Sequence, residues 1–140
     1  MNTRADLAAH AAVKITTDGA GRTVVRASGE LDIANAPQLR RALLRAQVLV
    51  GDDVDGRPVV VDLSGVTFLD ACALGVLVGD ALRARRAGSE VVVRDASRRI
   101  MQVFAVTGLL RLFQMERDEQ VRPAIPMPAN GRVLSSVEVA

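Results

Sequence analysis

Few residues in this sequence have the chemistry to act. Glu30 and Asp32 stand two apart in Gly29-Glu30-Leu31-Asp32. A carboxylate pair can share acid and base work on a sugar, but only across a cleft, and the sequence supplies no second wall for one. Asp53, Asp55 and Gly56 fit the middle of a calcium loop. The first ligand position then falls on Gly51, which has no ligand atom, and the last on Asp62, inside a strand pattern. A solvated turn is the better reading. His10 is the only histidine and Cys72 the only cysteine. A Ser-His-Asp triad, a histidine metal site and a Cys-x-x-Cys zinc pair therefore lack raw material. Gly75 and Gly79 lie in an apolar helical pattern, where close packing explains them better than a phosphate loop. No cofactor, metal or catalytic centre is expected: the chain reads as a binding protein and not an enzyme.

Cys72 carries the remaining chemistry. It falls at a helix start, where unpaired backbone N–H groups favour a thiolate. Asp70, two residues away, opposes that by like-charge repulsion. Without a second cysteine, oxidation would stop at a sulfenic acid or a mixed disulfide. The plain alternative is a small residue that packs the start of the helix.

The elements around these residues follow from period and punctuation. Residues 13 to 17 alternate as a half-buried strand does. Asp18-Gly19-Ala20-Gly21 has hairpin chemistry, and residues 23 to 31 form the second strand. Asn35 reads as an N-cap with Pro37 in the first turn. Ala36, Leu39, Leu43, Ala46 and Val50 then make a helical stripe. Residues 51 to 58 read as a loop. Val59 to Leu63 is a branched apolar run suited to a buried parallel strand, ending at a Ser64-Gly65 turn. Asp70 leads into a helix buried through Leu74, Leu77, Val78, Ala81 and Leu82, which Ala87-Gly88 ends. Residues 90 to 94 are the next strand. Ser97 caps a helix carrying Ile100, Val103 and Phe104, and Thr107-Gly108 stops it. Leu110 to Phe113 reads as a last short strand.

The order β-β-α-β-α-β-α-β predicts an α/β fold: a mixed sheet of four to five strands with helices packed mainly on one side. At 140 residues it fits one domain. We place a flexible segment at 1–11, the domain at 12–118 and a proline-containing tail at 119–140. With 49% apolar residues and Phe as the only aromatic, the core must be aliphatic. The net charge of +2 is too small to call for nucleic acid. Arginines do cluster at 40, 41 and 45, at 83, 85 and 86, and at 98 and 99, each time on a helical pattern, so solvated helix faces are expected. Met1 to His10 lacks the features of a signal peptide, and no apolar run approaches the ~18 residues of a membrane span. A cytoplasmic protein is expected.

Three segments are specific when taken together. They are Gly29-Glu30-Leu31-Asp32; Val61-Asp62-Leu63-Ser64-Gly65-Val66-Thr67-Phe68-Leu69-Asp70; and Thr107-Gly108-Leu109-Leu110-Arg111-Leu112-Phe113. In this order, and over roughly residues 12 to 118, they resemble the STAS domain of anti-sigma factor antagonists and sulfate transporter tails. The resemblance implies a small module that docks onto an anti-sigma factor with a kinase fold and so frees a sigma factor. In that family the kinase ends docking by phosphorylating a serine in Asp-Ser-Ser-Gly-Leu-Gly. The phosphate adds about −1.5 to −2 charges to the interface.

Here the matching stretch is Asp70-Ala71-Cys72-Ala73-Leu74-Gly75. Both serines and the first glycine are replaced, and Cys72 holds the phospho-acceptor position. The resemblance implies partner contacts by Asp32, Asn35, Asp70, Ala71, Cys72, Ala73 and Leu74, with the usual off-switch altered or absent. Ser64, Thr67 and Ser97 are the substitute hydroxyls, each with an ordinary role as turn or cap. Two other readings stand beside this one. The first is a scaffold or transporter-associated STAS subunit without a kinase cycle. The second is a nucleotide-binding STAS protein, which no phosphate loop supports.

Overall fold

A computed structural model describes residues 12–51 and 57–117. The segments expected at 1–11 and 119–140 lie outside the described residues, as do His10 and the acidic loop at Asp53 and Asp55. The strands are β1 (Ala12–Thr17), β2 (Thr23–Leu31), β3 (Val59–Leu69), β4 (Val91–Arg94) and β5 (Gln114–Glu116). The helices are α1 (Ala36–Val50), α2 (Ala71–Arg86) and α3 (Arg98–Val106). The sheet order is β1-β2-β3-β4-β5. Only β1 is antiparallel, running from Ala12 opposite Ser28 to Thr17 opposite Thr23. The remaining pairs are parallel. The expected α/β fold, a mixed sheet with its helices on one side, is what forms.

The valine runs explain the centre. Val59, Val61, Val91 and Val93 face the helices with Leu39, Leu43, Leu77, Ile100 and Phe104. Val24, Val60 and Val92 bury the opposite face. Strands covered on both sides tolerate no alternation, so they read as continuous apolar runs. Phe104 meets Phe113 edge to face, ring centroids 5.1 Å apart, the geometry that ring quadrupoles favour.

The β1–β2 turn is built on Asp18. Its Oδ1 accepts the N–H groups of Ala20 and Arg22, both at 2.9 Å. The other oxygen belongs to a closed ring of charges. Arg22 Nε lies 2.9 Å and Arg94 Nη2 2.7 Å from Asp18 Oδ2. Arg22 also grips Glu116 with both terminal nitrogens, at 3.0 and 2.9 Å, and Arg94 Nε reaches Glu116 at 3.1 Å. By strand alternation, Arg22, Arg94 and Glu116 share the face of Val24, Val60 and Val92. The ring thus ties the first hairpin to β4 and β5 across β3, the one strand between.

Four expectations need correction. Ser64-Gly65 does not turn the chain; β3 runs through it to Leu69. The glycine is needed for a close approach: a Cβ at Gly65 would sit 2.9 Å from the Cβ of Ser28 on β2. The β2–β3 register slips beside this contact, again at Gly29, where φ is 83°, as a bulge requires. Leu110 to Phe113 is not a strand: Leu110–Leu112 is a 3-10 turn, and the strand follows at Gln114–Glu116. In α2, Leu82 is exposed and Val78 only half-buried; Ala73, Ala84 and Asp80 join Leu74, Leu77 and Ala81 inside. Asn35 precedes α1, but its side chain makes no cap.

The Gly65 contact gives a direct expectation. Gly65→Ala should destabilise the fold by about 1–3 kcal/mol through overpacking, and adding Ser28→Gly should restore most of that. Urea midpoints of the unsubstituted chain and the two variants, at unchanged m, check it. Equal losses in the single and double variants would show that the contact is not the cause.

Candidate functional site

The carboxyl ends of β2 and β3 deliver two short segments side by side. β2 ends at Leu31 and leads into Asp32-Ile33-Ala34-Asn35. β3 ends at Leu69 and leads through Asp70 into α2. Loops outside the carboxyl ends of parallel strands are where such sheets place their binding surfaces.

Asp70 joins the two segments. Its Oδ1 accepts the Ala73 N–H at 2.9 Å and so caps α2. Its Oδ2 accepts the Ile33 N–H at 3.0 Å, and its own N–H donates to the Leu31 carbonyl at 3.0 Å. One carboxylate therefore sets both the start of α2 and the path of the neighbouring loop. The loop is also closed from within. Asp32 Oδ1 accepts the Ala34 N–H at 2.9 Å. Asn35 Oδ1 accepts the Asp32 N–H at 2.9 Å, and its Nδ2 donates to the Glu30 carbonyl at 2.7 Å. Asn35 thus folds back on the loop, which is why it does not cap α1.

Asp70→Ala should therefore cost about 1–2 kcal/mol, at the upper end for a helix cap. It should also speed amide exchange at Ile33 as well as at Ala73. A loss confined to α2 would show that the tie to Ile33 carries little.

The expected site residues separate into two groups. Ala71 and Cys72 are exposed at the start of α2. Asp32 and Asn35 are half-buried beside them, as is Asp70. Ala73 and Leu74 face the core instead, so their side chains support the surface from beneath. Sequence reading missed two members. Ile33 is 70% exposed and Phe68 47% exposed. Large apolar side chains held in the open on these short segments fit a contact surface better than a solvated one. Among the other hydroxyls, Ser97 Oγ accepts the Ile100 N–H and caps α3, while Ser64 and Thr67 lie exposed on β3.

Among the described residues, no group of three or more His, Cys, Asp or Glu side chains could hold a metal ion. Among the same residues, no helix is long and apolar enough to cross a membrane.

Comparison with known proteins extends these findings. The family model of the STAS domain matches residues 11–121. A protein of Listeria monocytogenes named anti-sigma-B factor antagonist is 33% identical over 92 residues, which is 66% of this chain and 76% of that one. The crystal structure of an anti-sigma factor antagonist from Mycobacterium paratuberculosis superposes with a TM-score of 0.61 at 24% identity, covering 92% of this chain and 95% of that one. The phosphorylated form of the Bacillus cell fate determinant SpoIIAA superposes with a TM-score of 0.56 at 17% identity, covering 90% and 99%. At such identities the two structures speak for the fold; the family match and the curated relative speak for descent. With its sheet order, its Asp70-capped helix and its loop at the end of β2, the chain belongs to the STAS domain family.

Proposed function

We infer that this chain is an anti-sigma factor antagonist: a binding protein, not an enzyme, that docks onto an anti-sigma factor with a kinase fold and so controls sigma-dependent transcription. The similarity to proteins named for that role supports it. The observation that carries it is the pairing of the Asp32–Asn35 loop with the start of α2 through Asp70. This pairing offers the partner a rigid edge of Asp32, Ile33, Asn35, Ala71 and Cys72, with Phe68 at the end of β3. A preformed edge spares the ordering cost that a mobile loop would pay on binding.

The off-switch is the point of departure. A serine kinase needs a hydroxyl, and the exposed side chain at the second position of α2 is the thiol of Cys72. The complex should therefore survive ATP. Titrating the full chain into the kinase-fold anti-sigma factors of its own genome, with and without ATP, tests both parts. Tight binding in both conditions supports an antagonist without a serine switch. Binding lost on adding ATP would mean phosphorylation elsewhere, with Ser64, Thr67 and Ser97 as exposed candidates. No binding to any of them would overturn the reading and favour a scaffold or transporter-associated subunit.

A further inference from the structure

Charge is segregated in this molecule. The three helices carry Arg40, Arg41, Arg45, Arg83, Arg85, Arg86, Arg98 and Arg99, and their one carboxylate, Asp80, is fully buried. The exposed charges of the three helices are therefore all basic, although the whole chain is nearly neutral. Between α1 and α2 the helix layer is also hollow. An open groove of about 300 Å³ is lined by Arg40, Cys72, Gly75, Val76, Gly79 and Arg83. The two glycines keep it open: a Cβ at Gly75 would meet nothing within 4 Å. A Cβ at Gly79 would lie 3.6 Å from Nη1 of Arg83, which places that guanidinium over the groove floor.

The two arginines are short of partners. Arg40 is exposed and makes no ion pair or hydrogen bond among the described residues. Arg83 reaches Asp80 with Nη2 at a long 3.3 Å, while its Nε is buried with no acceptor. Asp80 Oδ2 beside it is buried without a partner too, so the Arg83–Asp80 pair is loose, while the Arg83 side chain stays 37% exposed to the groove side of the helix. An incoming carboxylate can pair with its open N–H groups, because guanidinium forks bind carboxylates through paired N–H groups.

We propose that the α1–α2 groove receives an acidic segment of the protein partner, whose carboxylates pair with Arg40 and Arg83. The proposal rests on the antagonist reading for the partner's identity. It extends the contact from the start of α2 for two turns along the helix. Gly79 is seven residues beyond Cys72, about 10 Å along the axis, so a footprint confined to the helix start would not feel a change there. A protein segment is favoured over a membrane or a nucleic acid because Arg40 and Arg83 line one concave groove together with Gly75, Val76 and Gly79. An anionic membrane or a duplex would instead need a broad face to lie on.

The test uses the full chain and two substitutions whose sites are open. Arg40→Glu reverses an unpaired surface charge, and Gly79→Leu fills the groove within a helix; circular dichroism checks that both fold. Calorimetric titration against the anti-sigma factor that binds the unsubstituted protein, at low and high salt, should show at least a tenfold loss of affinity for each variant. Arg40→Glu should also flatten the salt dependence, since a charged contact is screened. Wild-type affinity and salt dependence in both variants would overturn the groove while leaving the antagonist reading intact. If no anti-sigma factor binds the unsubstituted protein, that reading falls, and the groove is judged separately with a helical Glu/Leu peptide as probe. Amide shifts at Gly75 and Gly79 on adding the peptide would support it. Their absence, or displacement of the peptide by anionic phosphatidylglycerol vesicles or a DNA duplex, would overturn it.

Discussion

Replacing Arg94 with methionine is expected to lower the unfolding free energy by about 3 kcal/mol, the scale for breaking a buried ion pair by removing one partner. The arginine side chain is only 6% exposed and bridges Asp18 and Glu116. Without it, both carboxylates lose a charged donor in a place that water reaches poorly. Arg22 can still hold Glu116 with two bonds and Asp18 with one, so the fold should survive. Adding Asp18→Asn and Glu116→Gln to Arg94→Met should recover a good part of the loss, because the uncompensated charges then disappear. A fold indifferent to Arg94→Met would mean that solvent already satisfies the ring.

The same ring sets a pH dependence. Burial pushes the Asp18 carboxyl up, but the Arg22 N–H, the Arg94 and Arg22 guanidinia and the Ala20 N–H together hold it far below its ordinary 3.8. The bidentate Arg22 holds Glu116 below its ordinary 4.5, with burial opposing and Arg94 assisting. A carboxylate held lower in the folded chain than in the unfolded one contributes stability that is complete above the unfolded value. That contribution disappears as pH falls through the folded value. The ring's contribution to the unfolding free energy should therefore be steady from neutral pH to about pH 5 and decline below about pH 4.5. In Arg94→Met the decline should be shallower, since the folded values move back toward the ordinary ones. Urea titrations at several pH values, read against the same series for the unsubstituted chain, decide this.

What could be read from residues alone was whatever depends on local pattern. Val59 to Val61 and Val91 to Val93 announce buried parallel strands because β-branched runs suit little else. The spacing of Leu39, Leu43 and Ala46 fixes the inner face of α1. Misreadings came where one residue serves a distant one. Ser64-Gly65 has turn chemistry, yet its glycine exists to let β3 pass Ser28. Gln114 to Glu116 is a polar edge strand with no branched residue, so the apolar Leu110 to Phe113 took its place in the reading. The charge ring joins Arg22 to Glu116 across most of the domain, and only strand order and register bring those two together. At the candidate site, the Asp-x-x-x-Leu-Gly pattern located the start of α2 and the resemblance placed the Asp32 loop beside it. The hand of Asp70 on Ile33, and the exposure of Ile33 and Phe68, emerge only when two strand ends meet.

Cys72→Ser is expected to create a phosphorylation switch at the start of α2. Serine differs from cysteine by one atom and is slightly smaller, and the position is exposed at the second residue of α2. Stability should therefore change by less than about 0.5 kcal/mol, as for ordinary surface substitutions. Reactivity should change entirely. Under the proposed function, a partner kinase would meet a hydroxyl at the position where the family motif has its serine, held on a helix start that Asp70 already fixes. Phosphate there would sit near the positive end of the α2 dipole, which favours it within the isolated chain. It would also bring about −1.5 to −2 charges and added bulk onto the docking edge, close to Asp32 and Asp70. The variant should bind as tightly as the natural protein without ATP, then become phosphorylated and lose affinity by a hundredfold or more when ATP is added. The natural chain treated identically should keep its affinity. Mass spectrometry of the ATP-treated variant should place the phosphate on the new serine. A variant that binds but stays unmodified would show that the lost serine at the first position of α2, now Ala71, or the lost glycine, now Ala73, also matters for kinase access. Restoring those residues one at a time would then identify which.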